Sequence, residues 1–201
     1  MGVVGGGPMI PADRFIVQSR HEEAWLTARR QGVTATAVAK AATPAGFRDV
    51  MAEWVNPTFT GNEFTDFGSW AERFILETAH QEHGILPSDW LIAGANPQHM
   101  GTPDGLNLDH TLIAEAKTGG TQPKSVPRIH RDQCLWNMHV TGTDRCLYLF
   151  QLRVPTETGF RFGLWEPITF WVDRDQARIA ELVTVADQLL GARHDRPFDD
   201  D

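Results

Sequence analysis

The stretch from Gly101 to Lys117, GTPDGLNLDHTLIAEAK, carries two carboxylates and an ammonium at positions where they can meet. Asp104 stands in a Pro-Asp-Gly turn ahead of a strand, and Glu115 and Lys117 flank Ala116 on that strand. Strand side chains alternate, so Glu115 and Lys117 emerge on one face, about 6.6 to 7 Å apart, while Ala116 packs into the core. Oxygen ligands of this kind suit Mg²⁺ or Mn²⁺, with Asp104, Glu115 and the Ala116 carbonyl as donors and waters left for a substrate phosphate to displace. Lys117 can then orient or deprotonate an attacking water and stabilise charge developing on phosphorus, the requirement of metal-assisted phosphodiester hydrolysis. Either fragment alone is ordinary, since Pro-Asp-Gly is a common turn and Glu-x-Lys is common surface patterning. Their combination is more specific, because Leu112, Ala114 and Ala116 make the companion face of the strand apolar.

The elements that must position these groups follow from hydrophobic period. Ser19, with Glu22 three residues on, predicts an N-cap for a helix running to Arg29 or Arg30, and a second short helix begins near Thr34 or Thr36. Phe67, Trp70, Ala71, Phe74, Ile75 and Thr78 recur at helical spacing and predict a helix over 66–83 closed by Gly84, with Glu72 on its flank. The period then changes to two: Leu91 to Ala93 is a strand, Gly101 to Gly105 a turn, and Thr111 to Thr118 the strand of Glu115. A helix over 128–140 puts Ile129, Gln133, Trp136 and Val140 on one stripe. The nearly continuous apolar run from Cys146 to Leu152 predicts a strand covered on both faces. Phe160 to Leu164 and Ile168 to Val172 read as a hairpin-like pair, and Asp173 as the cap of a last helix carrying Ile179, Leu182, Val183, Ala186, Leu189 and Leu190. The fold class is therefore α/β or α+β, a central mixed β-sheet flanked by helices.

Length and composition agree with one such domain. The chain has 201 residues, 41% hydrophobic and 22% charged, with a formal net charge of −8. Residues 1–13 read as a flexible Gly- and Pro-rich arm, 14–193 as a single domain and 194–201 as an acidic tail. No apolar run approaches the roughly 18 residues of a membrane span, and the start has neither a basic region nor a long apolar stretch, so the expected location is the cytoplasm. Cys134 and Cys146 are too few for a disulfide scaffold, an iron–sulfur cluster or a four-thiolate zinc site. His80 and His83 make no zinc site without a third ligand nearby, and Gly5-Gly6-Gly7-Pro8 is no phosphate loop. The acidic balance argues against DNA only if charge is averaged over the surface, and a basic channel through Arg29, Lys117, Arg128 and Arg131 is expected on an acidic exterior.

The Asp104…Glu115-x-Lys117 arrangement resembles the PD-(D/E)XK nuclease signature, and its neighbours resemble the phage recombination exonucleases of the lambda exonuclease and YqaJ type. Four blocks match in order: Trp25-x3-Arg29 with Val33 to Thr36, Phe67 to Glu72, Thr102 to Leu106 with Glu115 to Lys117, and Gln133 ahead of the strand Leu147 to Phe150. The resemblance implies a restriction-endonuclease-like core and a Mg²⁺-dependent 5′ to 3′ exonuclease acting on linear double-stranded DNA, with Mn²⁺ able to substitute. Asp104, Glu115 and the Ala116 carbonyl would hold the metal, Glu72 would complete the acidic cluster through metal-bound water, and Lys117 would act on the attacking water. Arg29 and Thr36 would bind the 5′-phosphate of a DNA end, with Arg30 as the alternative if the block shifts by one. Gln133, on an otherwise apolar stripe, is either a satisfied core amide or a site residue. A ring-shaped trimer and cooperation with a single-strand annealing protein are implied as well. The chain departs from its relatives at His130, where Tyr is frequent, at Leu135, where a second Gln is frequent, and at Thr118-Gly119-Gly120, where relatives often have Cys or Pro. Trp25 and Trp70 are expected in the core. The rival readings are a restriction-like or nicking endonuclease of the same superfamily and a non-catalytic DNA-end-binding module.

Overall fold

The computed structural model describes residues 9–56 and 63–194. A 3₁₀ turn, Ala12–Arg14, leads into β1 (Phe15–Gln18), followed by α1 (Glu22–Arg29), α2 (Ala35–Ala41) and α3 (Pro44–Val55). The long helix α4 (Glu63–His83) precedes β2 (Ile85–Pro87), β3 (Trp90–Ala93), β4 (Met100–Gly101), β5 (Gly105–Asn107) and β6 (Leu112–Gly119). Then come α5 (Arg128–Thr141), β7 (Arg145–Thr156), β8 (Gly159–Phe162), β9 (Ile168–Asp173) and α6 (Gln176–His194). No helix among the described residues is long and apolar enough to cross a membrane.

The main sheet runs β2-β5-β6-β7, with β8 and β9 both on β7, while β1, β3 and β4 form a smaller sheet. β6 and β7 pair in parallel, placing Glu115 beside Tyr148, and β2·β5, β5·β6, β7·β8 and β7·β9 are antiparallel. This is the mixed sheet flanked by helices that the periodicity predicts. Alternation decides what covers each face. Ile113, Cys146, Tyr148 and Phe150 enter the larger core with α2, α5 and α6, whereas Ala114, Ala116, Leu147 and Leu149 pack with Ala71, Ile75, Leu76 and Ala79 of α4. Coverage on both sides explains why β7 is continuously apolar from Cys146 to Phe150. α5 ends at Gly142, whose φ of 83° is the left-handed conformation glycine adopts without strain and whose N–H donates to the Met138 carbonyl at 2.8 Å.

Several local expectations change. Within the expected arm Ile10 is anchored: it is buried and its N–H donates to His110 Nδ1 at 3.1 Å. Residues 1–8 and 195–201, with most of the arm and the tail, lie outside the described residues. The first helix starts at Glu22 with His21 in the cap position, because Ser19 continues from β1 and donates its N–H to the Asp89 carbonyl. α3 escaped the sequence reading, although Thr43-Pro44 is a start signal: the Thr43 hydroxyl accepts from Gly46 N–H and Pro44 opens the first turn. The Gly101 to Gly105 turn is bounded by strand residues at both ends. β8 and β9 do not pair with each other, because β7 is long enough to hold β9 along Arg145–Phe150 and β8 along Arg153–Thr156. The cap of α6 is Asp175, which accepts from Arg178 N–H at 3.0 Å, while Asp173 ends β9 and receives Arg145 Nε. Trp70 and Phe74 are 46% exposed, so the apolar stripe of α4 runs through Ala71, Ile75 and Ala79 instead. Ile129 is likewise exposed, outside the buried stripe of α5.

One buried ion pair ties α5 to α6. Asp132 accepts from Arg178 Nε at 2.9 Å and Nη2 at 2.7 Å, and from Arg128 Nη1 at 3.0 Å. Asp132→Ala should lower unfolding stability by about 2–4 kcal/mol in urea titration, because it strands a bidentate guanidinium that is largely shielded from water. A change within about 0.5 kcal/mol would show the pair to be dispensable.

Candidate active site

The turn before β5 and the middle of β6 build the centre of the site. Asp104 is tied in by its main chain, which donates to the Ala114 carbonyl at 3.1 Å and accepts from Ser88 N–H at 2.8 Å. Its Oδ2 accepts the Ala116 N–H at 2.7 Å, so the carboxylate reaches the residue between Glu115 and Lys117. Glu115 is 5% exposed. Its Oε1 accepts a hydrogen bond from Lys117 Nζ, and its Oε2 accepts from Asn137 Nδ2 of α5 at 3.1 Å. The face shared by Glu115 and Lys117 is thus turned towards α5, and Ala116 faces α4 with the apolar core, as the alternation requires.

The electrostatics show an excess of buried negative charge. Asp104 is held well above the usual carboxylate range, first by burial and then by Glu115 and Glu72, with Lys117 and the Ala116 N–H opposing. Glu72, half-buried on α4, is pushed up by burial and by Glu115 against the pull of Lys117. Burial alone would lower the Lys117 ammonium, but Glu115 and Asp104 outweigh it and keep the lysine above its ordinary value. A divalent cation fits this arrangement: the donors are oxygens only, and the acids exceed the one ammonium that answers them here. Among the described residues no three His, Cys, Asp or Glu side chains stand close enough to hold one ion. Asp104 and Glu115 are the carboxylates that could hold such an ion, with the Ala116 carbonyl between them. Mg²⁺ commonly takes only one or two carboxylates and keeps its waters, so this set is sufficient.

Comparison with solved structures places this geometry. The alkaline exonuclease LHK-Exo from Laribacter hongkongensis matches with a TM-score of 0.68 at 25% identity, over 86% of this chain and 93% of that one. The phage-related exonuclease from Haemophilus somnus 129PT matches with a TM-score of 0.60 at 14% identity, over 82% and 95%. The chain has the alkaline exonuclease fold. The resemblance to the lambda exonuclease and YqaJ type, and the PD-(D/E)XK core it implies, are borne out. No family sequence model and no curated protein sequence matches the chain.

Within this exonuclease fold the residues expected to hold a 5′-phosphate fall into two groups. Arg29 is half-buried, its guanidinium lies 4.1 Å from the centre of the Trp25 ring, and Nη2 is 3.5 Å from the Thr34 hydroxyl. Burial pulls this guanidinium below its ordinary value, and no carboxylate pairs with it among the described residues. Thr36, exposed in the first turn of α2, receives Gln133 Nε2 at 3.5 Å, which joins α5 to this wall. Gln133 is 8% exposed and its Oε1 is buried without a partner, so it is not the satisfied core amide that one reading allowed. Arg30 is exposed, and its charge helps to lower the Arg193 guanidinium. Trp25 is only partly buried and serves as the platform for Arg29 rather than as core. Of the expected basic channel, Arg128 and Arg131 are taken up by Asp132 and Asp175.

Three residues that the sequence reading missed line the same face of α5 and its neighbour strand. Asn137 bonds Glu115 as above. His130 Nδ1 lies 2.8 Å from the Tyr148 hydroxyl with the rings stacked at 5.6 Å, and the imidazole is lowered by burial and by Lys117, with Glu115 opposing. The available signal was the spacing His130, Gln133, Asn137, a polar i, i+3, i+7 stripe inside a buried helix. The two cysteines form a buried contact beneath this stripe, where burial pushes the Cys146 thiol up and away from nucleophilic use.

Proposed function

We propose that this chain is a Mg²⁺-dependent exonuclease that hydrolyses one strand of linear double-stranded DNA from a 5′-phosphorylated end, in phage-type recombination. The observation that carries the reading is the meeting of Asp104, from the turn before β5, with buried Glu115 and with Lys117 of β6, joined through the Ala116 N–H, within the fold of known exonucleases. When bound, the metal would supply charge neutralisation at the scissile phosphate and lower the pKa of water. Asp104, Glu115 and the Ala116 carbonyl hold it, Glu72 extends the acidic cluster, and Lys117 orients the attacking water and offsets charge on phosphorus. Arg29, Thr34, Thr36 and Gln133 receive the terminal phosphate, where an unpaired guanidinium and hydroxyls are well matched to an anion. The Laribacter exonuclease is known in complex with dAMP, which is consistent with release of mononucleotides by this chain too. A ring-shaped trimer and an annealing partner belong to the same reading.

Linear duplex with 5′-phosphate ends, incubated with Mg²⁺, should be degraded to mononucleotides, and supercoiled circular DNA should be left intact. Nicking of the circle would favour an endonuclease, and no metal-dependent turnover on either substrate would leave only end binding. Arg29→Ala should slow digestion of 5′-phosphorylated ends by about 10- to 100-fold while leaving 5′-hydroxyl ends little changed, as expected for one lost charge-assisted contact of about 1.5–3 kcal/mol. Equal rates on both ends for the wild-type chain would refute the phosphate pocket alone.

A further inference from the structure

Asn137 of α5 hydrogen-bonds the acidic centre directly. Its Nδ2 donates to Glu115 Oε2 at 3.1 Å, and it is 1% exposed. Lys117 occupies the other oxygen of the same carboxylate, so Glu115 is gripped from its own strand and from the helix above it. The far side of the Asn137 carboxamide is equally confined. Its Oδ1 is buried without a hydrogen-bond partner and lies against the main chain at Gly101, where an added Cβ would come within 2.5 Å of that oxygen. Gly101 sits in β4, and Trp136 Nε1 of the same helix donates to the adjacent Met100 carbonyl at 2.9 Å. The helix is thereby fixed to β4 at the point where the amide must pass. A buried amide with one oxygen left unsatisfied is costly unless the donor end has a use.

The geometry points to Asn137 as a positioning residue that orients the Glu115 carboxylate for a divalent cation, with Gly101 conserving the space its amide needs. This inference rests on the nuclease reading above. Groups that hydrogen-bond a metal-ligating side chain typically change metal affinity or activity by about 10- to 100-fold when removed. Asn137→Ala should therefore weaken Mn²⁺ binding, measured by titration calorimetry on the DNA-free protein, by about 10- to 100-fold. It should lower kcat on linear duplex by a similar factor while the KM for DNA stays near the wild-type value. Gly101→Ala should act in the same direction, since the new methyl group displaces the amide. The double variant should be no worse than Asn137→Ala alone, because the oxygen that the methyl group meets is gone. Asn137→Leu keeps the side-chain volume, removes the donor and should match Asn137→Ala, with circular dichroism and thermal melts reporting folding of each variant.

Wild-type Mn²⁺ affinity and kcat in a folded Asn137→Ala or Asn137→Leu protein would overturn the inference, and so would additive losses in the double variant. The nuclease reading is judged separately. If the wild-type chain leaves linear duplex intact, that reading falls while the Mn²⁺ titrations still decide the role of Asn137. If the wild-type chain takes up no Mn²⁺ either, both fall.

Discussion

Lys117→Ala is expected to reduce digestion of linear duplex by about 10²- to 10⁴-fold, the range associated with losing one positioned proton-transfer or charge-stabilising group. The Lys117 side chain is 27% exposed, and its ammonium hydrogen-bonds Glu115 and is drawn upon electrostatically by Asp104 and Glu72 as well. Its removal takes away the cation that all three acids share. Lys117→Arg keeps a charge but cannot give up a proton, so it should restore folding without restoring the rate. The measurement is the initial rate of acid-soluble nucleotide release in Mg²⁺, beside thermal melts of the same preparations. Undiminished turnover in a folded Lys117→Ala protein would remove Lys117 from the chemistry.

Asp104→Asn should separate function from stability. The Asp104 carboxyl is raised well above its ordinary 3.8 by burial and by two neighbouring acids. An acid with a raised folded pKa binds more protons folded than unfolded once the pH exceeds its unfolded value, so its contribution to stability falls as pH rises through that window. In the presence of EDTA, wild-type protein should therefore lose stability relative to Asp104→Asn as pH rises above about 4, because the variant has no proton to release. The amide keeps an oxygen for the Ala116 N–H, so that bond need not be lost. At pH 8 the variant should be more stable than wild type in urea titration and about 10²-fold or more slower in Mg²⁺-dependent digestion. Added Mn²⁺ should stabilise the wild-type chain and leave Asp104→Asn nearly unmoved, because a ligand that binds only the folded state adds stability by mass action. A variant less stable than wild type at pH 8 without metal would mean that the buried charge is already answered.

Much of the frame was legible in the sequence because its signals are local. The period-two run Leu112 to Lys117 predicts which side chains of β6 share a face, and the alternation holds. α4, α5 and β7 were placed to within a few residues by hydrophobic spacing and, for α4, by Gly84 at its end. The errors concern partners rather than elements. Phe160 to Phe162 and Ile168 to Asp173 are strands as expected, but nothing in two short apolar runs says that both will pair with β7. Trp70 and Phe74 fit a helical stripe of large apolar residues, yet the small side chains Ala71 and Ala79 let α4 approach the sheet closely, and the aromatics are left at its rim beside Phe162.

The same division runs through the site. Residue types and strand alternation by themselves determined the turn with Asp104 and the shared face of Glu115 and Lys117. Only the tertiary structure decided that Asn137 bonds Glu115 across 22 positions of chain, that Gln133 meets Thr36 across 97, and that Asp132 and Asp175 claim Arg128 and Arg131. Local periodicity specifies which way a side chain faces relative to its own backbone. Which group it meets depends on how helices seat on the sheet, a choice made by packing summed over the whole core.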